Sequence, residues 1–364
     1  MKPILYLSHT GASIGGGEKQ LYYLLTHLDR TKYQPIVVFP EDGVFADQVR
    51  EVGIPSFIIH LPHWRKVISR FTRSVATTKL TNLAKKQNIQ IVHTSDSWFN
   101  PYILQLKKQL NIPVISHVRN LLTIDQVSKY CFDELDYTIS ISEQSKSPLI
   151  NYGIPNNKIE IILNCVDTNE FTSKQSKEQE SSAEFTIGIV GRIEPFKQQK
   201  QFIKIASKVN KQCEKVKFKI IGDVLDIPKH QRYYKEVIDS ISDYGLEKVV
   251  SFTGYRNDMP IYMKEINILV TLSAGSVIAE AMASGKPVVA NSIGSASDMI
   301  VDGTTGWVIH TDLIEQMSDR IIQLIRNPAL YNRMCLAARE HAKSQFSIDQ
   351  HVHKIQGIYE KLLG

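Results

Sequence analysis

Short apolar runs recurring at the spacing of a strand–helix–strand repeat constrain this chain more than any other feature. In the first half they are "ILYL" (4–7), "PIVVF" (35–39), "SFIIH" (56–60), "IQIVH" (89–93), "PVISH" (113–117), "YTISIS" (137–142) and "IEIIL" (159–163). These runs do not alternate apolar with polar residues, which suits strands buried on both faces of a parallel sheet. Between the first two, Leu21, Leu24, Leu25 and Leu28 fall on one helical face. The stretch "TSKQSKEQESSAEF" then interrupts the rhythm with polar, Ser-rich, aperiodic sequence, and residues 172–184 read as a linker. Beyond it come "FTIGIV" (185–190), "FKIIG" (218–222), "VVSFTG" (249–254), "INILVTL" (266–272), "KPVVA" (286–290) and "GWVIH" (306–310), and the chain reads as helical from about Pro328 to Gly364. The pattern predicts two Rossmann-like, doubly wound α/β domains, 1–171 and 185–346, facing across a cleft at the carboxyl ends of their sheets.

Bulk properties agree with that division. A chain of 364 residues exceeds one ordinary core, so two domains of about 150 residues are the default. The net charge of +6 favours anionic ligands or an anionic surface and is too small to argue for nucleic acid. Cys131, Cys165, Cys213 and Cys335 are scattered without a C-x-x-C pair, as reduced thiols of a cytoplasmic protein would be, and no metal site is expected. The N-terminal apolar run is too short for a secretory signal, and no stretch approaches the roughly 20 apolar residues of a spanning helix.

Three segments have the chemistry of a phosphate site. The loop "GASIGGG" (11–17) lies between the first strand and the first helix, where glycines let backbone N–H groups approach an anion. It matches neither a Walker A loop nor G-x-G-x-x-G, and a plain strand-to-helix turn explains it equally. "GRIEPFK" (191–197) takes the same topological place in the second half. Arg192 and Lys197 there could straddle a diphosphate and stabilise it as it leaves, or could be ordinary solvated loop charges. In "LSAGSVIAEAMASGKP" (272–287), Ser276 is an N-cap candidate, the amides of Gly275, Ser276 and Val277 would face an anion, and Glu280 one turn on could accept from a ribose diol.

Taken in order, these segments resemble the retaining glycosyltransferases of family 4, with the GT-B fold. The motifs are "GGGE" (15–18), "ISHVRN" (115–120), "ISISEQSK" (139–146), "ILNCVDTNEF" (162–171), "VGRIEPFKQQKQFIKIA" (190–206), "FKIIGD" (218–223), "FTGYRNDMP" (252–260), "AEAMASGKPVVA" (279–290), "GTTGWVI" (303–309) and the closing helix. The resemblance covers nearly the whole chain. It implies transfer of a sugar from a nucleotide donor, linked to UDP, GDP or ADP, to a glycan or lipid-linked acceptor with retention of configuration and without metal or cofactor. It also implies an acceptor-binding N-terminal domain, a donor-binding C-terminal domain, and a last helix (347–364) that packs back on the first domain. By residue, Arg192 and Lys197 match the diphosphate-binding cations and Glu280 the ribose-binding acid of the E-x7-E motif. Gly15, Gly16 and Gly17 match the loop facing the phosphates, and Gly191, Gly275, Ser276 and Val277 belong to the donor site. Tyr255 lies in the segment expected near the base. His117 matches the strand-end histidine at the reacting centre, with Glu18, Arg119 and Trp98 as acceptor-side candidates. With no second carboxylate evident near the sugar, front-face attack is expected, the diphosphate oxygen taking the acceptor's proton, in contrast to two-carboxylate glycoside hydrolysis.

One departure stands out. Counting back from Glu280 puts Leu272 where the first acid of E-x7-E belongs, and the loop before Gly275 is short for the family. The sugar end of the donor site is therefore altered, which fits either a donor read by other residues or a nucleotide-binding partner subunit with impaired catalysis. Separately, "HWRKVISRFTRS" (63–74) interleaves basic and aromatic residues, which first reads as an amphipathic loop-helix packed on the first domain and otherwise as a peripheral contact with an anionic membrane.

Overall fold

The computed structural model describes residues 1–62, 64, 70–172, 184–256, 258–273 and 275–364. Most of the expected linker, much of segment 63–74, Asn257 and Ala274 lie outside the described residues. The described chain forms two compact units, Met1–Asn164 with Ile348–Gly364, and Cys165–Ser347.

The first unit holds a seven-stranded parallel sheet of β1 (Lys2–Leu7), β2 (Tyr33–Phe39), β3 (Ser56–Ile58), β4 (Ile91–Thr94), β5 (Val114–Val118), β6 (Tyr137–Ser140) and β7 (Ile159–Ile161), in the order β3-β2-β1-β4-β5-β6-β7. Its connecting helices are α1 (Gly16–His27), α2 (Val44–Glu51), α3 (Arg70–Lys86), α4 (Asn100–Leu110), α5 (Ile124–Lys129) and α6 (Glu143–Tyr152). The second unit holds a six-stranded parallel sheet of β8 (Phe185–Val190), β9 (Val216–Ile221), β10 (Val250–Phe252), β11 (Ile268–Thr271), β12 (Val288–Asn291) and β13 (Gly306–Ile309), in the order β10-β9-β8-β11-β12-β13. Its helices are α7 (Gln199–Gln212), α8 (Pro228–Asp243), α9 (Met259–Glu265), α10 (Val277–Ala283), α11 (Ala296–Met299), α12 (Leu313–Arg326) and α13 (Pro328–Gln345). The last helix, α14 (Ile348–Leu363), belongs to the first unit.

The apolar runs become strands because helices cover both faces of each sheet. Ile4, Leu5, Tyr6 and Leu7 are all buried, as are Ile268, Leu269 and Val270. Winding reverses between β1 and β4 in one sheet and between β8 and β11 in the other, so each sheet has a switch point where two strand-to-helix loops diverge. The loops carrying the glycine and basic motifs lie there.

Motif spacing ends the first domain at residue 171, whereas residues 165–171 group with the second unit. The cause is local. Arg339 on α13 donates to the carbonyls of Thr168 (2.9 Å), Phe171 (2.6 Å) and Ala283, and Val166 N–H donates to the Phe346 carbonyl at 2.8 Å. Phe171 is fully buried.

Helix α14 docks on the first unit through Val352, Ile355, Ile358 and Tyr359, each buried, and a fully buried side chain of this kind contributes about 1.5–3 kcal/mol. Polar contacts fix its register. The Tyr359 hydroxyl lies 3.0 Å from the Tyr6 hydroxyl and 2.7 Å from His93 Nδ1, and Gln356 accepts from the Asp29 amide at 2.8 Å. Of segment 63–74, the Trp64 ring packs edge-on against Tyr102 and the Arg73 guanidinium lies 5.2 Å above it. Among the described residues no helix is long and apolar enough to cross a membrane.

Candidate functional site

In the second unit the switch point gathers the donor-side candidates. Strand β8 ends at Val190, and Gly191 turns the chain with φ +141°. Gly222, after β9, has the same φ, and a Cβ there would lie 2.1 Å from the Gly191 carbonyl oxygen. The two loops therefore approach backbone to backbone, which only glycine permits. Gln199 donates to the Arg192 carbonyl at 2.9 Å, and Gln198, itself left-handed at φ +56°, donates to the Leu272 carbonyl at 2.8 Å. Asn291, at the end of β12, donates to the same carbonyl at 2.6 Å. The β8 and β11 loops are thus tied together.

Lys197 stretches over this frame. A Cβ at Gly191 would sit 2.9 Å from Lys197 Cε, and one at Gly275 would sit 3.6 Å from Lys197 Nζ. The ammonium group therefore lies against the backbone that leads into α10. Burial pushes its pKa down; the nearby Glu194 carboxylate opposes that shift and the Arg192 cation adds to it. A partly desolvated ammonium beside bare backbone gains more from an arriving anion than a solvated one does. Arg192 is largely exposed, 3.4 Å from Glu194, whose other oxygen lies 3.7 Å from His230 Nε2. Ser276 occupies the N-cap position of α10 without a side-chain capping bond, Val277 is buried, and Glu280 is half-buried on the first turn. Tyr255 is exposed beyond the outermost strand β10, two strands from β8.

In the first unit the glycine loop runs directly into α1. Glu18 turns back and accepts from the Gly15 amide at 3.0 Å, closing the first turn. A Cβ at Gly17 would lie 3.6 Å from Cδ of Arg119, so the helix start and the β5 loop are neighbours. His117, on β5, is 1% exposed, and burial first, then the Arg119 charge, hold it neutral far below the usual imidazole pKa. Arg119 donates through Nη2 to His117 Nδ1 (3.3 Å) and through Nη1 to Asn164 Oδ1 (3.0 Å). Trp98 is exposed, near-parallel to Tyr130 with ring centroids 6.4 Å apart. Across the β1–β4 switch point His9 Nδ1 meets Asp96 at 3.0 Å, and that hydrogen bond raises the His9 pKa.

Of the residues singled out in the sequence, Gly191, Lys197 and Gly275 meet in one unit, and Gly17, His117 and Arg119 meet in the other. The sequence motifs did not single out Glu194, His230 and Asn291 near the first group, or Asn164 and His351 near the second; His93 reads from sequence as a structural strand-end histidine. Asn291 could have been found as the polar residue at the carboxyl end of an apolar interior strand. His351 has no such signal, since nothing local distinguishes it on a helix.

The fold has known counterparts. Residues 14–170 match the model described as Glycosyltransferase Family 4, and residues 170–341 match Glycosyl transferases group 1. The N-acetyl-alpha-D-glucosaminyl L-malate synthase of Bacillus anthracis is 21% identical over 79% of this chain and 78% of its own length. The poly(ribitol-phosphate) alpha-N-acetylglucosaminyltransferase of Staphylococcus aureus is 28% identical over 53% of this chain and 39% of its own length. A trehalose synthase of Pyrococcus horikoshii is 24% identical over 48% of this chain, so the match spans well under half the length of these last two relatives (39% and 43%). Among solved structures, Anabaena Alr3699/HepE in complex with UDP superposes with a TM-score of 0.85 at 22% identity over the whole of both chains, a likeness of fold.

Proposed function

The chain belongs to the family 4, group 1 glycosyltransferases of GT-B fold, and on that premise we propose that it transfers a sugar from a nucleotide-sugar donor to a glycan or lipid-linked acceptor with retention of configuration. The observation that carries this reading is Lys197 Nζ lying against Gly275 at the β8–β11 switch point, where a diphosphate would meet both the ammonium and the backbone leading into α10. Arg192, exposed and near Glu194, supplies the second charge, so the leaving diphosphate is neutralised by side chains rather than by a metal. Glu280 takes the ribose. HepE was solved with UDP and with UDP-glucose, which supports a uridine donor as the first to test. His117 offers the reacting sugar a neutral hydrogen-bond donor, and the acceptor's proton passes to a donor phosphate oxygen, because neither cation can act as a base. The setting is the cytoplasmic side, in cell-surface polysaccharide or glycolipid synthesis, with segment 63–74 as a peripheral anchor to anionic lipid.

A second reading has its own observation. The loop 272–276 between β11 and α10 carries no carboxylate, so a nucleotide-binding partner subunit without turnover is the competitor. Calorimetry with UDP, GDP and ADP, followed by hydrolysis assays on the corresponding nucleotide sugars, separates the two. Nucleotide binding with donor cleavage supports the transferase. Tight binding with no cleavage of any donor leaves the partner subunit.

A further inference from the structure

Three histidines of the first unit stand in a row. His93 comes from β4, His117 from β5 and His351 from the first turn of α14. The His93 and His117 rings are near-parallel (16°) with centroids 5.8 Å apart, and those of His117 and His351 (24°) are 6.4 Å apart. Their exposures are 2%, 1% and 3%. Burial holds all three neutral, His93 to about 3 and His351 to about 4. A neutral imidazole has one N–H and one lone pair, so its partner decides which nitrogen bears the proton.

For two of the rings the partner's chemistry leaves no choice. The Arg119 guanidinium can only donate, so His117 Nδ1 is the acceptor and Nε2 bears the hydrogen. The Leu163 carbonyl, 2.9 Å from His351 Nδ1, can only accept, so Nδ1 bears the hydrogen and Nε2 is bare. Both Nε2 atoms are buried and neither has a hydrogen-bond partner among the described residues. Neighbouring rings thus present one unmet donor and one unmet acceptor. Each such group is costly to leave unmet in a buried site.

We propose that His117 and His351 together hold a single hydroxyl group, His117 Nε2–H donating to its oxygen and its O–H donating to His351 Nε2. A cation would face an N–H, and a phosphate or carboxylate would face a bare lone pair. A hydroxyl is both acceptor and donor and satisfies both. Arg119 is then a positioning residue that sets the His117 tautomer, and helix α14 is part of the site as well as of the core. That the hydroxyl belongs to a sugar rests on the transferase reading, whereas the paired tautomers do not. An ordered water has the same chemistry.

The test uses the full chain labelled with ¹⁵N-histidine. Long-range ¹H–¹⁵N correlation is expected to show Nε2–H on His117 and Nδ1–H on His351. If the group is a sugar hydroxyl, UDP-glucose shifts both rings and UDP alone does not. If it is a water, neither ligand moves them and both rings show cross-relaxation to a long-lived water. The same tautomer on both rings overturns the proposal, and so do opposite tautomers with neither response. His351→Phe keeps the ring's bulk and deletes the acceptor. With a sugar hydroxyl it raises the Kd for UDP-glucose about tenfold and leaves that for UDP unchanged. Because the tautomers are read without turnover, an inactive chain would fail the transferase reading and leave this one standing.

Discussion

Lys197 and Gly222 show how single residues of this chain divide between chemistry and scaffold. The Lys197 side-chain carbons lie over Gly191, its ammonium lies against Gly275, and its charge is the less exposed of the two cations. Removing one preorganised charge from a leaving-group site costs about 10²–10³ in rate. Lys197→Ala is therefore expected to lower kcat on the functional donor by that factor while the fold is kept, as a steady-state donor-cleavage assay and a melting curve would show together. Arg192→Ala, removing an exposed charge, is expected to cost less. Gly222→Ala strikes the scaffold instead. Its Cβ would collide with the Gly191 carbonyl at a backbone angle L-residues rarely adopt, and a loss of at least about 2 kcal/mol in urea unfolding is expected.

At the scale of elements, α14 and the strand-end loops decide how the site is held. The Tyr6 hydroxyl has Tyr359 as its partner, and Tyr359 in turn reaches His93 Nδ1. A chain running Tyr6 O–H to Tyr359 O–H to His93 leaves no hydroxyl hydrogen unmet, whereas the reverse direction orphans the Tyr6 hydrogen in the core. Tyr359→Phe cuts this chain at its centre and is expected to destabilise the protein by about 1–3 kcal/mol, read from the denaturant midpoint. The strands and helices were largely legible in sequence: "FTIGIV" coincides with β8, and the glycine loop opens α1. Two local details were not. Ser276 sits at the N-cap position of α10 but gives no capping bond, and Glu18 turns back on its own helix start. Side-chain direction at a helix start depends on the neighbouring loop, and motif spacing carries no record of it.

For the whole molecule, the buried histidine row sets a pH response. His93, His117 and His351 have folded-state pKa values below the ordinary imidazole value of 6.5, so the unfolded chain binds their protons first as pH falls. Stability is fully present above about pH 6.5 and falls as pH drops from 6.5 through the folded values, about 4 for His351 and about 3 for His93. His9, whose pKa Asp96 raises, acts the other way: its contribution is present below 6.5 and is lost as pH climbs through its folded value. Burial lowers the His341 pKa as well, so four depressed imidazoles stand against one raised one; Tm is expected to decline on acidification from pH 7 to 5, and a flat Tm across that range would contradict the buried neutral row.

What the sequence determined alone is the set of features written in local pattern. Unbroken apolar runs specify two parallel sheets, and glycine and basic residues at strand ends mark the switch-point loops, because strand burial and loop backbone geometry act over a few residues. The association of His93, His117 and His351 was decided only by tertiary structure. It needs β4 to lie beside β5 and a helix more than two hundred residues further on to dock against them. Strand order and helix docking are settled by burial summed over the whole unit, so no local period encodes them, and the tautomers that make the row useful follow from neighbours that only the fold supplies.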